Sequence, residues 1–353
     1  MKEKLKFILV GLGGFGYVWC TEVIPKLKDV VTLVAAVDIN PDTFINPIQF
    51  CGLDEKKCYT DIKAAFSENP ADFVVIVTPP GYREHIIDLA LEYNCDIVSE
   101  KPFANDMETS VRIYRKVMNS GRKMLVTMNH RMDRDKQTLV SLLKSGEYGR
   151  LNYIIGRIAM AEWRISPLVF ASGHGKGASG IINECAIHQL DTIRSLAGSN
   201  AKTVFARTVE PPWGANSSGF GADCVFINLL MENGVSAFLE MSFSNAATLN
   251  EWKKDYFRAE CEKAELILDN RKIEVRSELE PSVGRAVSLL PGGDEKWAHC
   301  LLVRQFVSWV EGGPEPLCSI EDNMQCVAMV FAAVESCETG VPVDVQKFLN
   351  RYM

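Results

Sequence analysis

Glu184, His188 and Asp191 stand four and three residues apart, which at about 3.6 residues per turn lines them along one side of a helix. An imidazole so placed can take up and return a proton near neutral pH, and a carboxylate one turn away can orient it. One His with two carboxylates could also ligate a hard or borderline cation, and a solvated helix face is the plain structural alternative. The expectation taken here is acid–base chemistry without a metal. A glycine-rich stretch, 173–180, leads into this segment and would let a ligand approach backbone. It holds Gly175-Lys176-Gly177 but no G-x-x-x-x-G-K-[ST], so a P-loop is rejected. Lys101 is a second candidate. In Glu100-Lys101-Pro102 the proline disfavours helical geometry for the lysine, whose ammonium group could hydrogen-bond a reacting hydroxyl, stabilise alkoxide charge and pass a proton.

The third group is Gly11-Leu12-Gly13-Gly14-Phe15-Gly16, a match to G-x-G-x-x-G. In that pattern the first glycine permits a tight turn, the second lets backbone approach a pyrophosphate, and the third allows close helix-to-strand packing; Phe15 opens the helix whose amino end faces the phosphates. Asp38 closes the next strand pattern 22 positions after Gly16, near the spacing of about 20 expected for an acid that bonds the ribose 2′-hydroxyl. A carboxylate there repels a 2′-phosphate, and Ile39 supplies no neutralising arginine, so NAD is expected over NADP. Thr78-Pro79-Pro80 ends a third strand pattern and is expected to form part of the cofactor wall, or simply to end the strand, and Glu100 and Lys101 are expected to contact the cofactor as well.

These residues need strands and helices in a particular order to meet a ligand. Through about residue 125, short β-branched runs at 7–10, 31–37, 73–77, 96–99 and 124–127 alternate with helical patterns at 17–27, 62–66, 83–93 and 107–120. That rhythm predicts a doubly wound parallel α/β domain over 1–125, with ligands at the carboxyl ends of the strands. Beyond about 149, long strand patterns dominate, at 151–159, 203–209, 223–231, 236–244, 256–261, 264–268 and 272–276, with the hairpin signal Glu232-Asn233-Gly234. A second, α+β domain over 126–353 with a mainly antiparallel sheet follows. Helical patterns at 181–196, 297–310 and 320–339 interrupt or close it, and the helices of 297–353 are expected to pack back on the body.

Composition narrows the partners. At about 150 residues per domain, 353 residues suit two elaborated domains. A formal charge of −7 offers no cationic field for nucleic acid or an anionic membrane. The eleven scattered cysteines contain no C-x-x-C pair and read as reduced thiols. The apolar run at 7–10 is too short for a secretory core, and no uncharged apolar stretch reaches the roughly 18 residues a membrane span needs. A soluble cytoplasmic protein is expected.

A glycine-rich nucleotide turn, Glu-Lys-Pro after a later strand, and a carboxylate four residues before His-x-x-Asp together resemble the glucose-fructose oxidoreductase/inositol dehydrogenase/MocA family. Met128-Asn129-His130-Arg131, Gly146-Glu147-Tyr148-Gly149 and Glu335-Ser336-Cys337-Glu338-Thr339-Gly340 extend the likeness through nearly the whole chain. The resemblance implies a Rossmann domain with a large open antiparallel sheet, NAD(P)-dependent chemistry on sugars or cyclitols, and homodimers or homotetramers packed through that sheet. It makes Lys101 similar to the family's catalytic lysine and His188 to its acid–base histidine. Glu184 stands where the family usually has aspartate, and Ala186 where it usually has glycine; an extra methylene moves the carboxylate by more than an ångström. The expected activity is hydride transfer between the nicotinamide and a secondary alcohol, with Glu184 positioning the charged pair and Asn129, Arg131, Trp163, Arg164 and Asp191 as substrate contacts. An NAD-dependent glycosidase that oxidises its sugar transiently, and a non-catalytic ligand sensor, are the alternatives.

Overall fold

The computed structural model describes residues 3–161, 178–210, 222–280, 282–291 and 298–353. Its chain divides into two units, Met1–Asn129 with Glu295–Met324, and His130–Asp294 with Gln325–Met353. The sequence reading gave all of 126–353 to the second domain; the division instead returns 295–324 to the first unit. The reason is visible inside that unit, where Phe306 of the helix His299–Val310 stacks edge-on against Phe73 with ring centres 5.3 Å apart. Val126 N also donates to Cys318 O at 2.8 Å.

The first unit holds β1 (Leu5–Val10), β2 (Val31–Val37), β3 (Cys58–Tyr59), β4 (Phe73–Ile76), β5 (Asp96–Ser99) and β6 (Met124–Val126). They form one all-parallel sheet in the order β3-β2-β1-β4-β5-β6. This doubly wound order reverses direction between β1 and β4, which opens a crevice at the strands' carboxyl ends. Strands β4, β5 and β6 are buried throughout because helices cover both faces, which is why they read as apolar runs. The helices Ile62–Glu68 and Met107–Ser120 start at Asp61 and Asp106, whose carboxylates accept from Lys63 N and Thr109 N. The single helix expected over 17–27 is replaced by an α turn at Phe15–Val18, a π turn at Trp19–Val23 and a 3-10 turn at Ile24–Lys26. Pro25 lacks the amide that an α-helix would need there.

The second unit carries β7 (Leu151–Ala159), β8 (Ala201–Val209), β9 (Cys224–Met231), β10 (Ser236–Ser242), β11 (Tyr256–Cys261), β12 (Ala264–Asp269), β13 (Lys272–Ser277), β14 (Arg285–Val287) and β15 (Val343–Asp344). They form a nine-stranded sheet in the order β14-β13-β12-β11-β7-β10-β9-β8-β15, antiparallel except where β10 meets β7. Side chains alternate cleanly: Ile154 and Ile158, Ala237, Leu239 and Met241, and Phe257 and Ala259 are buried. Tyr153, Phe226, Phe238 and Tyr256 on the other face are not buried. Helices Arg134–Lys144 and Ile187–Ala197 pack on the buried face. The first was not anticipated, because its charged opening residues read as a polar loop. Helix Ile320–Thr339 begins in the first unit and continues in the second. Among the described residues no helix is long and apolar enough to cross a membrane.

Candidate active site

In the first unit the glycine turn is held from two directions. Leu12 N donates to Asp38 Oδ2 at 2.7 Å, and Asn46 Nδ2 donates to Leu12 O at 3.0 Å. The other carboxylate oxygen of Asp38 accepts from Asn40 N at 2.9 Å. The residue expected to meet the ribose therefore also fixes the turn, and its remaining lone pairs stay available to a hydroxyl. Gly11 has φ +95°, and a Cβ there would stand 2.9 Å from Thr78 N, so only glycine lets β1 pass this close to the loop after β4. A Cβ on Gly16 would collide with Gly11 O. Gly13 and Gly14 are exposed, with at most one distant side chain near their open sides, and Phe15 is half-buried.

The loop after β4 leads through Thr78 to Arg83, which is buried. Arg83 Nε donates to Thr78 O at 2.8 Å, and Nη1 donates to both Glu100 O and Pro102 O. One guanidinium thus ties the Thr78-Pro79-Pro80 loop to the Glu100-Lys101-Pro102 loop and grips the backbone on either side of Lys101. Sequence reasoning missed Arg83, since an arginine in the first turn of a helix reads as surface charge. Its five-donor fork is what spans three carbonyls. The Glu100 carboxylate points inward, accepting from Trp19 Nε1 at 2.9 Å and Thr127 Oγ1 at 2.7 Å, with His299 Nε2 at 3.0 Å. Burial alone would raise its pKa, but the His299 charge and the donated hydrogen bonds outweigh that and hold it down to about 2. Its anchoring side chain contrasts with the expectation of a direct cofactor contact. Asn129, also in the first unit, is buried, and its backbone N donates to Thr127 O at 2.9 Å.

In the second unit the run expected to be one helix over 181–196 is an α turn Ala178–Ile181, a π segment Ile182–Ala186 and an α-helix Ile187–Ala197. The π pattern interrupts the 3.6-residue period, so Glu184 and His188 do not share one continuous α-helical face. Nor is the helix solvated on a polar side: every residue of Ile187–Ala197 except Ser195 is buried, and Glu184 is half-buried. Asp191 is paired with Arg131 through two hydrogen bonds, Nε to Oδ2 and Nη2 to Oδ1, inside the protein. These two expected substrate contacts are spent on each other, and they bind the short turn His130–Met132 to the helix. Beside that clamp the rings of His130 and His188 stack face to face, 3.9 Å apart at 14°. Both meet Trp252 edge-on, at 5.1 and 5.8 Å. Trp163 and Arg164 lie outside the described residues, as does most of 173–180.

A buried charge cluster adjoins this region. Lys136 Nζ lies 3.0 Å from Asp255, 3.5 Å from Asp133 and 3.8 Å from Asp135, while Lys253 reaches Asp133 at 3.2 Å and Arg271 reaches Asp135 at 3.5 Å. Burial opposes charge on Lys136, but the carboxylates of Asp255, Asp135 and Asp133 outweigh it and raise its pKa. Burial pushes the Asp255 carboxyl up as well, against Lys136. With three acids around one ammonium, the charged lysine is the state this geometry favours. Gln189, next to His188, donates to Asp255 at 3.4 Å. Among the described residues no group of three His, Cys, Asp or Glu side chains is arranged to hold a metal.

Residues 5–129 match the family model described as the oxidoreductase family's NAD-binding Rossmann fold, and 152–345 match its C-terminal alpha/beta domain. The chain belongs to the Gfo/Idh/MocA oxidoreductase family. Among Gfo/Idh/MocA relatives, the uncharacterized protein y4oX of Sinorhizobium fredii is 38% identical, covering 98% of this chain and 97% of its own. A D-apiose dehydrogenase of Rhizobium rhizogenes is 26% identical over 98% and 99%. The fold is that of an Agrobacterium radiobacter oxidoreductase solved with NAD+, L-tartaric acid and magnesium, at TM-score 0.81 and 23% identity over 98% of this chain and 99% of that one. The first unit fits the NAD its family binds: the turn at Gly13 and Gly14 is open, Asp38 retains acceptor capacity, and the buried Thr78 hydroxyl has no partner among the described residues.

Proposed function

We propose that this oxidoreductase is an NAD-dependent dehydrogenase acting on a secondary alcohol of a sugar, sugar derivative or cyclitol. The observation that carries the reading is the chain of contacts from Gly11 to Thr78, from Thr78 to Arg83 and from Arg83 to both neighbours of Lys101. It fixes a lysine at the carboxyl edge of the sheet, where dinucleotide folds hold their ligands. NAD, when bound, supplies the hydride acceptor. Gly11, Gly13, Gly14, Phe15 and Gly16 form its phosphate turn, Asp38 takes the ribose, and the Thr78-Pro79-Pro80 loop lines the wall. Lys101 orients the reacting oxygen and stabilises its negative charge, His188 accepts the hydroxyl proton, and Glu184 positions the charge. Asn129, Trp163 and Arg164 are proposed substrate contacts, and the Arg131–Asp191 clamp sets where the His188 ring sits. The D-apiose dehydrogenase relative supports a sugar, and the resemblance of the motifs supports a cyclitol equally.

On the same reading the protein is cytoplasmic, in keeping with eleven free thiols. It assembles as a homodimer or homotetramer through the half-exposed sheet face that carries Tyr153, Phe226, Phe238 and Tyr256. Variants test the assignment: Lys101→Met and His188→Ala are expected to retain NAD binding, read by fluorescence titration, and to lose turnover by 100-fold or more, in the range of roughly 10² to 10⁴ that a general acid–base group contributes. Near-wild-type turnover in either variant would refute it.

A further inference from the structure

Trp252 takes part in none of the roles above, yet it sits against the proposed acid–base residue. Its indole centre lies 5.8 Å from that of His188 and 5.1 Å from that of His130, with the planes at 81° and 67°. The two imidazoles are themselves 3.9 Å apart, so these similar distances place the indole alongside the stack, at the rims of both rings, and not on top of it. The turn that carries Trp252 is pinned on both flanks. Asn250 is fully buried; its Nδ2 donates to Lys254 O at 3.2 Å and to Asp269 Oδ1 at 3.1 Å, and its Oδ1 accepts from Arg157 Nε at 3.0 Å. Lys253 is buried too, holds φ at +67°, and reaches Asp133 at 3.2 Å. A lysine in the left-handed region is uncommon, and backbone held there by its surroundings clusters at ligand sites. Between these buried neighbours Trp252 is only half-buried, and its indole N–H has no hydrogen-bond partner among the described residues. A tryptophan that serves packing goes into the core and gives its N–H a partner. This one holds a flat apolar surface at a fixed place beside an imidazole.

We propose that Trp252 is the substrate platform of this site and that it selects a polyol closed into a ring, whether furanose, pyranose or cyclitol, over an open-chain polyol or hydroxy acid. The inference rests on the reading of His188 as the acid–base group and narrows the substrate class of that reading. A ring polyol has a C–H face that lies flat on an indole and a rim of hydroxyls that stay hydrogen-bonded. Apolar area is therefore buried without stripping polar groups of their partners. An open chain has no such face, and ordering one of its many conformers on the indole costs rotational entropy. Because the indole and the imidazole adjoin, a hydroxyl on the rim of that ring is delivered to His188.

NMR of the full chain carrying nitrogen-labelled tryptophan, saturated with NAD, tests this. Trp252→Phe identifies the Trp252 indole resonance by its disappearance. Myo-inositol, D-glucose and D-apiose are titrated in turn, and at least one of them is expected to move that resonance. Sorbitol and L-tartrate at the same concentrations are expected to leave it in place. A resonance that moves with none of the rings, or moves as far with the open chains, would overturn the proposal. For a ring that turns over, Trp252→Leu is expected to raise KM about 10-fold and to lower kcat less, while Trp252→Phe keeps KM within a few-fold of wild type. An unchanged KM in Trp252→Leu would also overturn it, and the wild-type titration decides alone where that variant folds poorly. Turnover that survives His188→Ala would instead strike at the functional reading and leave the indole titration standing.

Discussion

Arg83 is the residue whose removal should separate binding from chemistry. Its three bonds fix the backbone on both sides of Lys101, and lysine in its place can offer a point charge but no fork. Arg83→Lys is expected to lower kcat by roughly 10- to 100-fold, as ångström-scale misplacement does, with a smaller change in NAD affinity; steady-state kinetics against isothermal titration checks the split. Asp38 has a double role, so Asp38→Asn should weaken NAD binding and narrow the preference over NADP while the amide oxygen still accepts from Leu12 N. Glu100 makes a prediction in pH. Its pKa is depressed from 4.5 to about 2, so its contribution to stability is complete above about pH 4.5 and is lost as pH falls towards 2. The gap corresponds to about 3 kcal/mol. Denaturant unfolding across that window should show the loss in wild type and not in Glu100→Gln. Glu-Lys-Pro, the glycines and Asp38 could be picked out in the sequence because motif and spacing carry them. Arg83 and His130 could not, since their partners, the Thr78 carbonyl aside, lie 17 or more positions away and a lone arginine or histidine has no periodic signature.

At the scale of elements, apolar periodicity recovered the parallel strands, except the two-residue β3, and the helix Met107–Ser120 because burial on both faces and an amphipathic stripe write themselves into composition. It failed where geometry departs from a regular period. The π segment Ile182–Ala186 breaks the helix that spacing assumed, and the buried helix Ile187–Ala197 carries its polar residues inward because Arg131, Asp255 and the His130 ring meet them there. Helix Arg134–Lys144 was missed for the same reason, as its Lys136 is neutralised by its neighbours Asp133 and Asp135 together with Asp255, which is distant in sequence. Removing that lysine leaves three buried carboxylates without their shared cation. Lys136→Met is expected to destabilise the fold by about 3–5 kcal/mol, the scale for breaking a buried ion pair, measured as a lower denaturation midpoint. An effect under 1 kcal/mol would mean that the cluster is not held together by its charge.

For the whole molecule, the two family-model matches at 5–129 and 152–345 agree with a fold that strand rhythm already outlined. The return of 295–324 to the first unit was not legible, because no local pattern says which sheet a terminal helix covers. The half-exposed sheet face leads to a further expectation. Sedimentation velocity should find a dimer or tetramer, and Phe226→Glu with Phe238→Glu should shift it towards monomer. The central claim, that this chain oxidises a polyol with NAD, is tested most directly by following NADH absorbance across a panel of sugar and inositol stereoisomers, with NAD and NADP in parallel. The account predicts net NADH formation from at least one member, faster with NAD than NADP and abolished in Lys101→Met. Bound NAD with no NADH formed from any polyol, or formation undiminished in that variant, would contradict it.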